Sequence, residues 1–557
     1  LVNHNLARHF VKMGIPVLTL DSLPDLHKQN LKNARMEAFN PFHTRMLSAA
    51  LAVGSDPNLE LAQIVSFGCG HDAIISDEMS RLLRAKSNKE LLVIKLDEGD
   101  AQGPMNIRVK SFIETIRAKR ESGGLPESDN ELSEAYEVKF TKKDKKVRKI
   151  LAPNLSPAFC KIITAAIESE GYEVYPLPVA DDRAIELGKK YVHNDICFPA
   201  QVNIGEALAV LKSGKVKPEN VTLGIAKNCE DCRAGHYVPL ARKALDEAGY
   251  PNVPIITTGI DEKNMHPGFK VGTFFQIRML WGMALIDGLE KMVRMTRPYE
   301  VNAGESDAVF NLYLDRLSEK IKVSFRKSGK VFQEAVDAFN RIPVDRTVRK
   351  PRVGVLGEVL MNYHPRANGN VESYLEANGM EVIEPSLSDF FRRIYVIDKD
   401  KGIRGMLPNK YWNMFLSDMT ETAFKIANAK VDKYLKKFKF AEPHFDVHDI
   451  AKNVEGLIDK SYLVGEGWLM VGEIIQLAEK GVNSFVILNP FGCLPNHITG
   501  RGMIKPLKKM YPHIQILSLD YDPDTSFANI ENRLQMLIIT ARELEKRNRE
   551  VSAQEVV

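Results

Sequence analysis

The sequence predicts an α/β protein with parallel sheets, and two observations support this fold class. From Lys149 onward, short apolar runs alternate with amphipathic stretches, which is the rhythm of strand–helix–strand units. The chain has 557 residues, and at roughly 150 residues per domain this gives room for about three to four domains. The chain is therefore long enough to hold several such sheets, each with its own core.

Three strand–helix–strand units can be read in order along the chain. The first runs through VTLGIA (221–226), YVPLARKALDEAGY (237–250) and VPIITTG. The second runs through PRVGVLGEV (351–359), NVESYLEANG and MEVIEPS, and the third through NSFVILNP (483–490), RGMIKPLKKMY and HIQILSLDYD. Parallel strands are joined by helices that cover the faces of the sheet. We therefore predict tandem doubly wound sheets of the Rossmann or flavodoxin type, with helical connections and insertions.

Changes in these patterns predict how the chain divides into segments. The polar stretch AKRESGGLPESDNELSE carries Gly-Gly and Pro, which is typical of a linker or a surface helix. The predicted segments are 1–117, the last part of a first module; 118–148, a linker and a basic approach to a strand; 149–290, subdomain A of a second module; 291–348, a helical connection; 349–545, subdomain B with a helical insertion at about 408–460; and 546–557, a tail.

Two segments of the chain repeat one another. Ala62–Asp97 and Asn483–Asp520 both run from an apolar strand through Phe-Gly-Cys, a polar turn and a helix to a second apolar strand that ends in Asp. The spacing from Cys69 to the closing Asp is 28 residues, and the spacing from Cys493 is 27. The shared order and spacing predict an internal duplication. We expect Leu1 to fall inside the first of two modules, so that the first copy lacks its beginning.

Composition and charge exclude several classes of protein. The 76 Lys and Arg residues nearly balance the 72 Asp and Glu residues, which argues against a nucleic-acid partner. No apolar run approaches the ~18 residues of a membrane-spanning helix. Six cysteines are too few for a disulfide scaffold. We expect a cytoplasmic protein that binds neither nucleic acid nor membrane.

Five of the six cysteines lie in predicted turns, next to the start of a helix. These five are Cys69, Cys197, Cys229, Cys232 and Cys493. In open α/β sheets, ligands bind beyond the carboxyl ends of the strands, and a helix N-terminus favours a thiolate. Gly68 and Gly492 permit tight turns that would aim two of these sulfurs outward. Cys160 instead falls within the apolar helical pattern SPAFCKIITAAI, so we expect it to be a buried core thiol.

The residues alone leave four interpretations of these cysteines open. They could be incidental thiols, or they could bind zinc through Cys229-x2-Cys232-x3-His236 and Cys493-x3-His497. A thioredoxin-like redox site at Cys229 and Cys232 is the third interpretation. It is disfavoured, because the two acidic residues between these cysteines would raise the pKa of both thiols. The fourth interpretation is an iron–sulfur cluster held by scattered thiolates. Composition does not decide between zinc and iron.

Long motifs along nearly the whole chain resemble one protein family. The stretches are SFGCGHDAIISDEM, LGKKYVHNDICFPAQ, DCRAGHYVPLARKALDEAG, RPYE, GVLGEVLMNYHPRANGN, GEGWLM and NPFGCLPNHITGRGMIKPLKKMYP. On these stretches the chain resembles the 2-hydroxyacyl-CoA dehydratase-like proteins. The resemblance is in particular to the C-terminal part of the long forms fused to an ATP-hydrolysing activase. The double-cubane cluster proteins are relatives of the same family.

The resemblance implies an iron–sulfur cluster in the cleft between two subdomains, either a [4Fe–4S] cluster or a double cubane. By motif, its iron ligands would be Cys197, Cys232 and Cys493. Cys229 departs from the family pattern and could be a fourth ligand, a bridging ligand or a bystander. Cys69 would serve a first-module cluster only if further cysteines lie upstream.

The resemblance also implies a function and a partner. An ATP-driven activase, as a domain or a subunit, would supply one low-potential electron, after which a hydroxyl group leaves the acyl-CoA substrate. The chain contains no G-x-x-x-x-G-K-[ST] motif, so ATP would act only through that activase. One alternative is a double-cubane reductase of another small molecule. A second alternative is a non-catalytic electron-transfer or scaffold subunit. We also expect an oligomer.

Residues around the cysteine motifs are candidates for catalysis and for supporting the cluster. The candidate acid–base residues are Glu358, Glu466, His236 and His497. The candidates for support around the ligands are Asn228, Arg233 and Asn496. We expect Trp468 to serve packing, and Arg297 to form a local salt bridge, with anion binding as the alternative. A carboxylate such as Glu358 at a strand end is about equally suited to capping a helix.

Overall fold

The structure is a computed structural model, in which most of the chain can be described. The described residues are 6–35, 41–66, 70–96, 102–122, 135–136, 138–193, 196–225, 232–257, 266–407, 409–442, 446–462 and 464–555.

The N-terminal region contains one strand–helix–strand unit. Its elements are α1 (Leu6–Lys12), α2 (Pro41–Ser55), β1 (Ala62–Ser66), α3 (Gly70–Ser87), β2 (Leu92–Leu96) and α4 (Gln102–Glu121). The two strands pair in parallel, with Ala62 opposite Leu92. The first segment of the predicted repeat therefore folds in the predicted order.

A four-stranded sheet follows. Its elements are β3 (Lys149–Ala152), α5 (Pro157–Glu168), β4 (Val174–Pro176), α6 (Asp182–Tyr191), α7 (Phe198–Lys212), β5 (Val221–Gly224), α8 (Tyr237–Glu247) and β6 (Ile255–Ile256). The strand order is β4-β3-β5-β6, and every pair is parallel. Three helices come next, α9 (Thr273–Thr296), α10 (Glu305–Ser324) and α11 (Ser328–Arg341). Helices α10 and α11 lie within the predicted helical connection at 291–348, whereas most of α9 lies before it.

The second four-stranded sheet completes the described chain. Its elements are β7 (Arg352–Gly357), α12 (Val359–Tyr363), α13 (Val371–Ala377), β8 (Glu381–Ile383), α14 (Leu387–Ile403), α15 (Lys410–Leu435), α16 (Val447–Asn453), α17 (Trp468–Glu479), β9 (Ser484–Pro490), α18 (Ile504–Met510), β10 (Gln515–Tyr521) and α19 (Phe527–Glu555). The strand order is β8-β7-β9-β10, again all parallel. The last helix continues through most of the segment that the sequence pattern placed in a tail.

The two four-stranded sheets share one topology, in which the second strand lies outside the first and the third and fourth follow on the other side. The order therefore reverses between β3 and β5 in one sheet and between β7 and β9 in the other. In open parallel sheets, the crevice beyond the carboxyl ends at such a switch point is where ligands bind. The predicted fold class is confirmed: parallel sheets flanked by helices in a Rossmann or flavodoxin-like layout.

Local sequence explains why these elements form where they do. All seven residues of β9 are buried, which is the continuous apolar run expected of a central parallel strand covered on both faces. Helix α5 begins after Ser156, whose hydroxyl accepts a hydrogen bond from the Phe159 amide at 3.0 Å, and Pro157 opens the helix. Helix α6 begins in the same way, with the Asp181 carboxylate accepting from the Ala184 amide at 2.8 Å.

Helices α6 and α7 cross so closely that only glycine fits at two positions. A Cβ atom on Gly188 would lie 2.1 Å from the Gln201 carbonyl oxygen, and one on Gly205 would lie 2.0 Å from the Ala184 carbonyl oxygen. This contact fixes the position of α7, and with it the position of Cys197 directly before its first residue.

Shared cores join the three regions. One core combines residues of α2 and α3, such as Leu47 and Ile75, with residues of α7 and α8. A second combines Phe198 and Val202 of α7 with β7, β9 and β10 of the other sheet. The N-terminal region and both four-stranded sheets therefore pack around α7 as a common centre. Across the described part of the chain, no helix is long and apolar enough to cross a membrane.

Candidate functional site

Three cysteines from separate elements meet where the two switch points face each other. Cys197 precedes α7, Cys232 lies beyond β5 and before α8, and Cys493 lies beyond β9. The thiols of Cys197 and Cys493 interact electrostatically with each other, and Tyr237 interacts with both Cys197 and Cys232. We call this group of Cys197, Cys232 and Cys493 the thiol cleft. The structure thus brings together the three residues that the motifs suggested as iron ligands.

Each sulfur of the thiol cleft has a hydrogen-bonding group beside it. The Tyr237 hydroxyl lies 3.2 Å from Cys197 Sγ, and both groups are buried. The Ala234 amide donates to Cys232 Sγ at 3.4 Å, and the Asn496 amide donates to Cys493. Hydrogen bonds to sulfur of this kind tune the reduction potential of a cluster. The sequence offered no signal for Tyr237, because a tyrosine at the start of a helix is ordinary.

The loop that carries Cys493 requires a glycine and is tied to the opposite sheet. Gly492 has a φ of +66°, in the left-handed region that favours glycine. The Arg233 guanidinium donates to the Gly492 carbonyl oxygen at 2.7 Å, and a Cβ atom on Gly492 would lie 3.0 Å from Arg233 Nη2. Arg233, which the sequence suggested as a supporting residue, therefore connects the turn after Cys232 to the turn before Cys493.

Burial controls the protonation of the metal-free thiols more strongly than the helix N-termini do. A helix N-terminus was expected to favour the thiolate, yet burial raises the pKa of Cys197 to about 12, with Glu358 adding to the effect. Burial also raises the pKa of Cys493 well above its ordinary value, and Glu466 adds to it. Desolvation of the thiolate outweighs the helix dipole here, because the dipole contributes only about 0.3–2 kcal/mol. Without a metal, these thiols hold their protons.

Two carboxyl groups, the buried Glu466 and the half-buried Glu358, border the thiol cleft at the carboxyl end of β7. Glu358 follows that strand and caps α12, its Oε2 accepting from the Met361 amide at 3.0 Å. Glu466 Oε1 accepts from the Val359 amide at 2.8 Å. Burial, followed by the charge of Glu466, raises the pKa of Glu358 to about 8. Glu358 is therefore both a helix cap and a carboxyl group that keeps its proton at neutral pH.

The buried carboxyl groups continue from the thiol cleft toward α14 and α17. Glu473 of α17 interacts electrostatically with Asp389 of α14 and with Glu466, and burial raises its pKa well above the ordinary value. Burial likewise raises the pKa of Asp389 to about 8. Glu473 and Asp389 also line a cavity of about 120 Å³ beside α9 and β8. A row of buried acids thus connects this cavity to the thiol cleft.

The other sequence-suggested residues lie in several surroundings. His497 Nδ1 donates to the Cys493 carbonyl oxygen at 2.8 Å, and Asn496 is buried beside it. Trp468 is completely buried in the core around α17, as expected. Arg297 forms ion pairs with Asp307, Glu372 and Glu376. The local salt bridge expected of Arg297 is therefore present.

Cys160 is a core thiol, as its apolar pattern indicated. It is 3% exposed, and burial raises its pKa to about 12.

Four residues from the sequence analysis lie outside the described residues, namely Gly68, Cys69, Asn228 and Cys229.

A second group of metal-ligand side chains lies nearby. Within the described ranges, one set of three or more His, Cys, Asp and Glu residues has its ligand atoms within 4.8 Å of one another, namely His43, His71 and His236. We call it the imidazole cluster. The zinc ligands that the sequence suggested were Cys229, Cys232, His236, Cys493 and His497. Cys229 lies outside the described residues, and no three of the other four have their ligand atoms within 4.8 Å of one another. His236 instead faces histidines of α2 and α3.

A buried polar network joins the two four-stranded sheets through α7. Glu206 of α7 accepts from His364 Nε2 at 3.0 Å, from the Asn154 side chain at 3.1 Å and from the Ala180 amide at 2.9 Å. Both Glu206 and His364 are buried, 158 residues apart in the chain. Sequence analysis missed this pair, because nothing local marks two distant polar residues as partners.

The donors in the thiol cleft suit a group that takes soft sulfur ligands. Cys197 is buried, Cys232 and Cys493 are half-buried, and amide and hydroxyl donors lie at the sulfurs. This arrangement matches how proteins hold an iron–sulfur cluster. The three thiols are not all within 4.8 Å of one another. A comparison with protein-family models finds no match, and neither does a comparison with curated proteins.

Proposed function

We propose that this protein is the iron–sulfur component of an ATP-dependent, low-potential reductase or dehydratase system of the 2-hydroxyacyl-CoA dehydratase type. It would work in the reducing cytoplasm and receive electrons from an activase. The observation that carries the proposal is the thiol cleft, in which two sheets contribute three cysteines at their facing switch points. When bound, the cluster would supply one-electron transfer and an iron able to act as a Lewis acid.

Cys197, Cys232 and Cys493 would hold the cluster as thiolates, each losing its proton as iron binds. Tyr237 and the amides of Ala234 and Asn496 would then donate hydrogen bonds to sulfur. Arg233 adds a positive charge close to Cys197, which offsets part of the negative charge of the thiolates. The helices and the Arg233 contact keep these donors fixed, so little reorganisation is needed when charge changes.

Glu358 is our candidate for the general acid in loss of a hydroxyl group. Its pKa of about 8 means that the carboxyl group still carries a proton at neutral pH. Because Oε2 accepts the Met361 amide, the proton would reside on Oε1. Glu466 holds the Val359 amide, which fixes the start of α12, and Glu473 with Asp389 would resupply the proton from the side of the cavity.

Iron and sulfide analysis of anaerobically reconstituted protein tests the proposal. One [4Fe–4S] cluster gives about four iron and about four sulfide per chain, and a double cubane gives about eight iron. We expect Cys232→Ser to lose the cluster. Cys160→Ser, a substitution of the core thiol outside the cleft, is the matched control and should retain it. Stoichiometric zinc without iron, or an unchanged iron content in Cys232→Ser, would contradict the proposal.

A further inference from the structure

The imidazole cluster lies where the N-terminal region meets the first four-stranded sheet. His43 belongs to α2 and His71 to the first turn of α3, while His236 lies in the turn between Cys232 and α8. His71 and His236 are 165 residues apart in the chain. Three separate elements therefore deliver one imidazole each to a single point, and the core shared by α2, α3, α7 and α8 holds them there.

The spacing of the ring nitrogens matches ligands of one metal ion. His71 Nδ1 lies 3.2 Å from His236 Nε2, and one ligand nitrogen from each of the three rings lies within 4.8 Å of the others. Two nitrogens that bind one tetrahedral zinc ion at ~2.0–2.1 Å are roughly 3.4 Å apart. The rings of His71 and His236 meet edge to face, with centroids 5.2 Å apart and planes at 84°. This arrangement lets the nitrogens of both rings point toward a common centre.

Burial and charge at the cluster also suit a metal ion. His236 is 1% exposed, whereas His43 and His71 are partly accessible, so an ion could reach the site from solvent. His43 Nδ1 is buried and has no hydrogen-bond partner among the described residues. Burial and the neighbouring His71 lower the pKa of His43, and Asp72 places a negative charge nearby. Neutral imidazoles close to a carboxylate are typical of zinc sites.

We propose that His43, His71 and His236 form a binding site for a divalent ion of the zinc type, separate from the thiol cleft. Three imidazole ligands leave a fourth position for water, as in zinc sites that are open to solvent. The ion would tie α2 and α3 to the turn that follows Cys232, so it would stabilise the contact between the N-terminal region and the first four-stranded sheet. This proposal does not depend on the cluster, and failure of the iron test leaves it standing.

Titration of the metal-free full chain with Co²⁺, followed by competition with Zn²⁺, tests the proposal. We expect one Co²⁺ site whose absorption is that of a tetrahedral ion with nitrogen and oxygen ligands, without the thiolate charge-transfer bands that the cleft would give. His43→Ala and His71→Ala should each weaken binding by at least about tenfold. His27→Ala, which removes an exposed histidine of the same N-terminal region, should change nothing.

Thermal unfolding provides a second readout if a variant folds poorly. Zn²⁺ should raise the melting temperature of the wild type and of Cys232→Ser, because it binds only the folded chain. Zn²⁺ should not raise the melting temperature of His43→Ala. Circular dichroism in the absence of metal would verify that this variant is folded. The proposal is overturned if His43→Ala and His71→Ala bind Co²⁺ as tightly as the wild type, or if the wild type binds none. In that case the three histidines form only a hydrogen-bonded contact.

Discussion

The thiol cleft and the imidazole cluster show how burial acts in opposite directions on two kinds of metal ligand. In the thiol cleft, burial raises the pKa of Cys197 to about 12, so the ligand atom keeps a proton. In the imidazole cluster, burial lowers the pKa of His43, so that ring loses its proton more readily. In both cases the low dielectric disfavours the charged form. For cysteine the charged form is the thiolate, which binds metal. For histidine the charged form is the imidazolium, which does not.

The same contrast separates the two repeated strand–helix–strand units. The unit with β9 and β10 carries Cys493 toward two cysteines of the other sheet. The unit with β1 and β2 carries His71, at the start of α3, toward His43 and His236. One topology therefore presents thiols in one place and imidazoles in the other. What differs is the partner surface against which each unit packs.

The largest effect expected from this contrast is in proton release on metal binding. At pH 8, Cd²⁺ binding by the thiol cleft of a His43→Ala variant should release at least about two protons, because the Cys197 and Cys493 thiols are protonated. Zn²⁺ binding by the imidazole cluster of a Cys197→Ser variant should release less than about one, since burial lowers the pKa of His43 and the neutral imidazole is the form that binds metal. Calorimetry in buffers of different ionisation enthalpy measures both. Equal proton release would show that burial does not set the ligand state.

A smaller effect is expected from Glu358→Gln in the metal-free chain. The unfolded chain ionises this carboxyl group near its ordinary pKa of 4.5, and the folded chain near 8. Between these values the folded state binds more protons, so its stability falls as the pH rises. Glutamine does not ionise, so the variant does not lose this stability. Between pH 5 and pH 8, its free energy of unfolding should therefore rise by on the order of 3 kcal/mol relative to that of the wild type. Urea denaturation at both pH values checks it, and a pH-independent difference would contradict it.

The smallest effect is expected from Tyr237→Phe. This change removes the hydroxyl group 3.2 Å from Cys197 Sγ and leaves the ring in place. A hydrogen bond to sulfur stabilises the reduced cluster, so its loss should lower the reduction potential by on the order of 40 mV, which equals about 1 kcal/mol for one electron. Iron content should not change. Potentiometric titration measures the shift, and an unchanged or higher potential would argue against this hydrogen bond.

Much of the fold could be predicted from local patterns. The continuous apolar run of β9 and the amphipathic pattern of α8 each occupy the positions that the sequence indicated. Gly492 has the positive φ that its place before Cys493 suggested. The boundaries were less predictable. VPIITTG forms a described strand only at Ile255–Ile256, because β6 is an edge strand paired on one side.

The site was only partly predictable, for a physical reason. Cys197, Cys232 and Cys493 each stand beside a strand end or a helix start, which sequence can show. The Tyr237 contact and the network of Glu206 with His364 depend on which surfaces meet across the two sheets. The protonation of the metal-free thiols could not be predicted, because the helix dipole can be read from the sequence while the depth of burial cannot.

The sequence by itself determined the order of strands and helices, the parallel topology and the placement of three thiols at the ends of elements. These follow from apolar periodicity and from the conformations that glycine and proline permit, which are local properties. The tertiary structure alone decided that His43 and His236, 193 residues apart, share a point in space. It also decided which ligand atoms keep their protons, because desolvation depends on every element packed around a group and on no single segment of the chain.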